Sequence, residues 1–532
     1  MKKKYTIILS FIACVNAIVL LILPYLAKYL VDCAEEIIKD SSVGYSEFNK
    51  YLILMIIFGI LTIVGRFAYN LTFSRFDLRM QKDLRESLYD SLIYKDINTL
   101  NKYHRGEIEA LFIGDVDNIC EAYLDAIPGI VRSIARALLA IALLIIIGGA
   151  KYFLGVVLVA GILMALIAKL YSRIMKPKHK EVLALDSKAS SFVIETIDEA
   201  KLIQSYNAYD NARAYYRELN YKAYKSRSNR NKWSYTSSSI MGAMSSILYV
   251  FMITLGAYLI SKNKISYGSL VALLAILNNI YNPFVMISPL INRYNKGKAS
   301  LERISEIYKM PEAMDKDMIN DFERIVIDNV SYSYDDRPNV VHDLSYTIGK
   351  GDIVRISGPS GIGKSTVLSL ILGFNKPQSG KVTFDFDGAS YEASFKTRGL
   401  IAYVSQENIL FSGSIYDNFK LFSNVSDINQ INEALRKASI YDEIVEMPDG
   451  INTVLRDKGA GLSMGQIQRI MIAIAIASNR PIIILDEPTS ALDKDNEIAI
   501  MNNLHTLGKT IIYISHRDSV IEGEGNISLK EE

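Results

Sequence analysis

The sequence predicts a multi-domain membrane protein: an all-α transmembrane domain of six helices, followed by an α/β domain built around a phosphate loop. Three observations predict it. Nearly all long apolar runs lie before residue 292, and the rest mixes charged and apolar residues as a water-facing domain does. Residues Gly358–Ser365 read Gly-Pro-Ser-Gly-Ile-Gly-Lys-Ser, with the apolar run Ile353–Ile356 before them and a helix start at Thr366–Leu372 after them. Downstream, four apolar residues, Ile482–Leu485, end in the carboxylates Asp486 and Glu487.

At 532 residues the chain is too long for one ordinary domain. Composition is 50% hydrophobic and 22% charged, and a net charge of +2 lacks the concentrated basic face that nucleic acid demands, so no nucleic-acid partner is expected. Cys14, Cys33 and Cys120 are odd in number and scattered, which indicates neither a disulfide framework nor a zinc site.

Crossing the hydrocarbon takes about 20 helical residues. Six stretches reach that length: 6–31, 51–72, 129–149, 152–172, 239–261 and 267–291. Backbone groups in lipid must bond internally, so these are helices. Gly148-Gly149-Ala150-Lys151 reads as a tight hairpin between the third and fourth. A signal peptide is the other reading of the first run. Its length, its continuation through Pro24 to Leu30 and the lack of a small-x-small cleavage site favour a span. Lys2–Lys4 and the basic segments 73–126 and 173–238 place both termini and two large inner loops in the cytoplasm. Polar residues within spans are the local clues to cargo. Asn278, Tyr281 and Asn282 lie in the sixth stretch; Arg132 and Arg136 lie one turn apart in the third. Two readings stay open: helix–helix hydrogen bonding with snorkelling arginines, or a water-filled cavity contacting cargo. If the arginines face a cavity, the cargo carries an anionic group.

The run Gly358–Ser365 matches Gly-x4-Gly-Lys-[Ser/Thr], a Walker A motif. Glycines 358, 361 and 363 remove the Cβ atoms that would keep backbone N–H groups from a polyphosphate. ATP is therefore expected on Gly358, Pro359, Ser360, Gly361, Ile362, Gly363, Lys364, Ser365 and Thr366, with Lys364 on the β- and γ-phosphates and Ser365 on Mg2+. The run Ile482–Leu485 suits a strand buried on both faces. Asp486 then belongs to the Mg2+ shell and Glu487 is the candidate general base.

Between these motifs stands Leu462-Ser463-Met464-Gly465-Gln466-x-Gln468-Arg469. Here the chain resembles the ATP-binding cassette (ABC) transporter family, specifically its exporter-type half-transporters, whose signature reads Leu-Ser-Gly-Gly-Gln. The resemblance covers nearly the whole chain, with motifs in family order. It implies adenine stacking for Tyr334 and a Q-loop role for Gln406, on Mg2+ and at the reaction centre. It assigns the D-loop to Ser490–Asp493 and the switch histidine to His516. It implies a nucleotide domain with a helical subdomain, and Ser463, Gly465 and Gln466 closing over the ATP of a second chain, so that a dimer is required, whether homodimer or heterodimer. Short coupling helices are expected near Asp96–Lys102 and Phe192–Lys201. Domain limits are expected at 1–305 (transmembrane), 306–320 (linker) and 321–532 (ATP-binding). Departures are Met464 in place of a signature glycine, and Arg456 and Asp457 in the Thr453–Gly459 loop. The function implied is ATP-driven export of a peptide, lipid or amphipathic small molecule across a bacterial cytoplasmic membrane. An ATP-gated channel or regulator, and an importer on the same fold, stay open as alternatives. The Ile-, Lys-, Asn- and Tyr-rich composition points to a bacterium and to a peptide cargo.

Overall fold

The computed structural model describes residues 3–39, 45–100, 103, 105–147, 150–311, 318–334, 337–407, 409–456, 459, 461–488, 494–515 and 524–529. The chain divides into two compact units, Met1–Ser91 with Arg105–Lys309, and Leu92–His104 with Met310–Glu532.

The first unit is helical. Its long helices are α1 (Lys3–Lys39), α2 (Ser46–Ile93), α4 (Gly106–Ile146), α5 (Ala150–Asp198), α7 (Tyr209–Ser261) and α8 (Tyr267–Lys309); a short α6 (Ala200–Ser205) interrupts the series, while the short α3 (Ile97–Leu100) falls in the second unit. Among the described residues, α1, α2, α4, α5 and α7 are long and apolar enough to cross a membrane, and α8 opens with the shorter apolar stretch Tyr267–Leu277. With 48, 49 and 53 residues, α2, α5 and α7 are more than twice as long as the hydrocarbon requires. The expected glycine hairpin falls between the end of α4 and the start of α5, and Gly148 and Gly149 themselves lie outside the described residues.

Many apolar side chains in the first half of α2 point outward, Ile56, Ile60 and Ile63 among them, as a lipid solvent allows. Inside, Leu21, Leu144, Phe153, Met252 and Leu273 form a packed core between helices. Helix α4 contains two π-helical segments, Leu111–Asp115 and Glu121–Ala126. Each widened turn re-aims the side chains that follow it. Asp115 thereby meets α8, where it accepts hydrogen bonds from Ser300 Oγ (2.7 Å) and Arg303 Nε (2.9 Å). Gly297 makes the approach possible, since a Cβ there would lie 2.4 Å from the Asn118 carbonyl oxygen.

The second unit is α/β. A parallel five-stranded sheet runs in the order β9-β3-β8-β7-β6, from β3 (Ile353–Ser357), β6 (Ile401–Val404), β7 (Ile482–Asp486), β8 (Thr510–Ile514) and β9 (Gly525–Ser528). An antiparallel sheet, β2-β1-β4-β5, is built from β1 (Arg324–Tyr334), β2 (Arg337–Gly349), β4 (Ser379–Phe386) and β5 (Ala389–Glu392). Strand β7 is buried along its whole length, which explains its unbroken apolar run. Helices α9 (Lys364–Ile371), α10 (Ile415–Ser423), α11 (Ile428–Lys437), α12 (Tyr441–Val445), α13 (Met464–Ala477) and α14 (Lys494–His505) follow in chain order, and α10, α11, α12 and α13 share one core that includes Phe419, Ile431 and Ile470. The segment Leu92–His104 also belongs to this unit: Lys95 Nζ donates to the Met310 carbonyl (2.9 Å), and α3 lies within the stretch where the first coupling helix is expected.

Candidate nucleotide site

The phosphate loop leaves β3 at the carboxyl edge of the parallel sheet, where open α/β sheets bind ligands. Gly358, Gly361 and Gly363 have φ of +146°, +82° and +112°, angles that L side chains rarely adopt. At Gly363 a Cβ would also lie 2.5 Å from the Val340 carbonyl oxygen. Helix α9 then begins at Lys364, so its free N–H groups open onto the loop. Lys364 Nζ donates to the Gly358 and Pro359 carbonyls at 2.8 and 2.9 Å, curled over its own loop. Burial holds its pKa below the ordinary lysine range, while Glu487 and Asp486 pull the other way.

Asp486, 5% exposed, ends β7 with one oxygen 3.5 Å from Ser365 Oγ and the other 3.5 Å from the Tyr403 hydroxyl. Burial, and secondarily the Glu487 charge, raise its pKa above the usual carboxylate range. Both hydrogen bonds are long, so the carboxylate is only weakly compensated. Glu487 follows with φ of +52°, a left-handed conformation uncommon for a residue with a side chain. It is held at both ends: Gln406 Nε2 donates to its Oε2 and Gln468 Nε2 to its carbonyl oxygen, each at 3.0 Å.

The structure thus brings Lys364, Ser365, Asp486, Glu487 and Gln406 together. Tyr334 sits beside them, its ring half exposed and its hydroxyl 3.4 Å from Thr366 Oγ1 and from Asn375 Nδ2. Ser463 caps α13, its Oγ accepting from Gln466 N (3.2 Å) while Gln466 Oε1 accepts from Ser463 N (2.8 Å). Met464 points outward, and Gly465 stands in the first turn. His516 and Ser490–Asp493 lie outside the described residues. In the helical unit, Asn282 is exposed, the side chains of Asn278 and Tyr281 are outside the description, and Arg132 lies over the Tyr69 ring at 5.7 Å. Sequence reasoning assigned no role to Gln468 or Tyr403. The only available signal was the place of Gln468 two residues after the signature.

The ABC transporter transmembrane region matches residues 6–284, more than half of the chain, and the family described as ABC transporter matches residues 341–490. The chain belongs to the ABC transporter family. It is 35% identical over 282 residues to an ABC transporter ATP-binding/permease protein of Haemophilus influenzae, a match covering 52% of this chain and 51% of that one. Against the ATP-dependent lipid A-core flippase of Syntrophus aciditrophicus, identity is 29%, covering 84% of this chain and 75% of that protein. The chain spans about half the length of the first curated relatives it matches. A bacterial Atm1-family ABC exporter solved with ATP bound shares the fold, with a TM-score of 0.81 at 20% identity, over 99% of this chain and 92% of that one.

Proposed function

We propose that this chain is one half of a dimeric ATP-driven exporter in a bacterial cytoplasmic membrane, its transmembrane domain over 1–305 joined through 306–320 to the ATP-binding domain over 321–532. The observation that carries the reading is the convergence of Lys364, Asp486, Glu487 and Gln406 at the carboxyl edge of the sheet. The exporter direction draws support from the fold shared with an Atm1-family exporter and from the flippase relative. The cargo class is a peptide, lipid or amphipathic small molecule.

In the proposed mechanism the loop N–H groups and the N-terminus of α9 bind the phosphates, and Lys364 exchanges its loop carbonyls for phosphate oxygens. Glu487 takes a proton from water; the water oxygen bonds to the γ-phosphorus as the bond to the ADP oxygen breaks. Gln406 holds that carboxylate in place, and Gln468 holds the Glu487 backbone carbonyl. The hard oxygens of Ser365 and Asp486 fit Mg2+, and a cation there would relieve the buried Asp486 charge. Bound Mg2+ would supply charge neutralisation of the phosphates. Ser463, Gly465 and Gln466 of a second copy would complete the cage at the N-terminus of α13.

Glu487→Gln should lower ATPase turnover of the reconstituted protein by about 10²–10³-fold while ATP binding persists. ATPase within a few fold of wild type in that variant would remove Glu487 as the base.

A further inference from the structure

Three arginines of the helical unit stand together without a carboxylate among them. Arg66 and Tyr69 are three residues apart on α2 and share a face; Arg132 and Arg136 are four apart on α4 and share another. The two faces meet where the Arg132 guanidinium lies over the Tyr69 ring, 5.7 Å from its centroid, and Tyr69 is 8% exposed. Arg66 and Arg132 are both close enough to Arg136 to repel it. Arg136 Nε is buried without a hydrogen-bond partner. The Asp125 carboxylate, whose charge acts on Tyr69, is engaged by Arg293. Among the described residues, none of the three arginines forms an ion pair.

All three lie inside apolar stretches long enough to span hydrocarbon. Charge in that environment is expensive and persists where a counter-charge or a water-filled path is supplied. Snorkelling to the interface leaves the Arg136 Nε unaccounted for, because that atom is enclosed by protein without a partner. Guanidinium groups favour planar, bidentate acceptors, which phosphate and carboxylate provide. Exposed apolar side chains on α2 next to Arg66, Ile63 and Phe67, offer a surface for an acyl or other apolar body.

We propose that Arg66, Arg132 and Arg136 form a binding site for the phosphate or carboxylate group of an amphipathic cargo. The inference rests on the transporter reading above and narrows its cargo class to anionic amphiphiles.

The test uses the full-length dimer in zwitterionic phosphatidylcholine nanodiscs without nucleotide, and measures binding of dodecyl phosphate, dodecanoate, dodecyl maltoside and dodecyltrimethylammonium. The two anionic probes should bind about tenfold or more tightly than the neutral and cationic ones, the worth of one or two charge-assisted contacts. Arg136→Gln should weaken anion binding by about tenfold with no effect on dodecyl maltoside, and Arg136→Lys should restore part of the loss. Inorganic phosphate that displaces dodecyl phosphate at comparable concentration identifies a free anion as ligand; displacement only by dodecyl phosphate identifies a headgroup on a tail. Equal affinity for all four amphiphiles, or unchanged anion affinity in Arg136→Gln, overturns the proposal. If Arg136→Gln does not fold, Arg66→Gln, at an exposed position, takes the same measurement. Absent ATPase in the wild-type protein would sink the transporter reading and leave the binding result standing, so the two failures are separable.

Discussion

Arginine is held in two opposite ways within the helical unit. Arg303 meets Asp115, which is 3% exposed and also accepts from Ser300, while Asn118 donates to Ser300 in turn. Every member of that group has a partner, and the group ties α4 to α8. Arg136 shares a face of α4 with Arg132, which lies over the Tyr69 ring, and finds no acceptor for its Nε. The same side chain is a structural tie where the protein supplies the anion, and a candidate ligand contact where it does not. Buried polar groups are normally satisfied, so the exception is the informative one.

Stability measurements test this contrast most directly. Asp115→Ala should destabilise the protein by about 2–3 kcal/mol, less than the roughly 3–5 kcal/mol for breaking a fully buried pair, because Arg303 keeps part of its guanidinium in water. Arg303→Ala should cost a similar amount, and the double variant little more than either, since both remove one interaction. Arg136→Leu should leave the thermal midpoint unchanged or raised, because a half-buried side chain with an unpaired, buried Nε is exchanged for an apolar one. Differential scanning fluorimetry of the four variants reads all of this. A large loss in Arg136→Leu would mean that its guanidinium is already satisfied in the folded protein.

Most of the architecture is legible in the sequence for one reason: apolarity over about 20 residues and apolarity over five residues ask for different structures. That a helix stands at α1 and a strand at β7 follows from that alone, although α1, over Lys3–Lys39, outruns the expected span 6–31 at both ends. The phosphate loop is equally legible, because glycine at 358, 361 and 363 answers backbone angles that other residues resist. What stays hidden depends on three-dimensional neighbours. The π segments that turn Asp115 toward α8 leave no periodic mark in so short a stretch. Arg66 sits alone in an apolar run, and only the Tyr69–Arg132 contact places it with the other arginines. Nor does composition assign Leu92–His104 to the second unit; hydrogen bonds from Lys95 and Asp96 to Met310 and Pro311 do.

A smaller effect separates support from chemistry in the nucleotide site. Gln468 is fully buried and donates to the Glu487 carbonyl, whereas Gln406 reaches the Glu487 carboxylate. Gln468→Leu removes a donor that keeps Glu487 at its positive φ. It should lower kcat by about tenfold, the worth of roughly one hydrogen bond, with the KM for ATP little changed. Gln468→Glu, which places an acceptor against that carbonyl, should be worse than the leucine variant. A change confined to KM would instead assign Gln468 to nucleotide binding.

The smallest effect is the one that carries the contrast across to the second unit. Asp486 is the acidic counterpart of Arg136: buried, charged and only weakly compensated, with both hydrogen bonds at 3.5 Å. Burial and then Glu487 raise its pKa in the folded chain. A raised carboxyl pKa contributes stability below the unfolded value, and that contribution is lost as pH rises through the folded value. Near neutral pH the ionised Asp486 therefore weakens the nucleotide-free protein. Asp486→Asn should raise the thermal midpoint there, and the gain should shrink as pH falls and the wild-type carboxyl takes up its proton. Mg2+ and ATP should reverse the order, stabilising the wild type more than the variant, since a ligand stabilises the state that binds it. A midpoint difference independent of both pH and Mg2+ would show that the Asp486 charge is already compensated within the chain. The reversal would instead mark it, like Arg136, as a charge whose partner is a ligand.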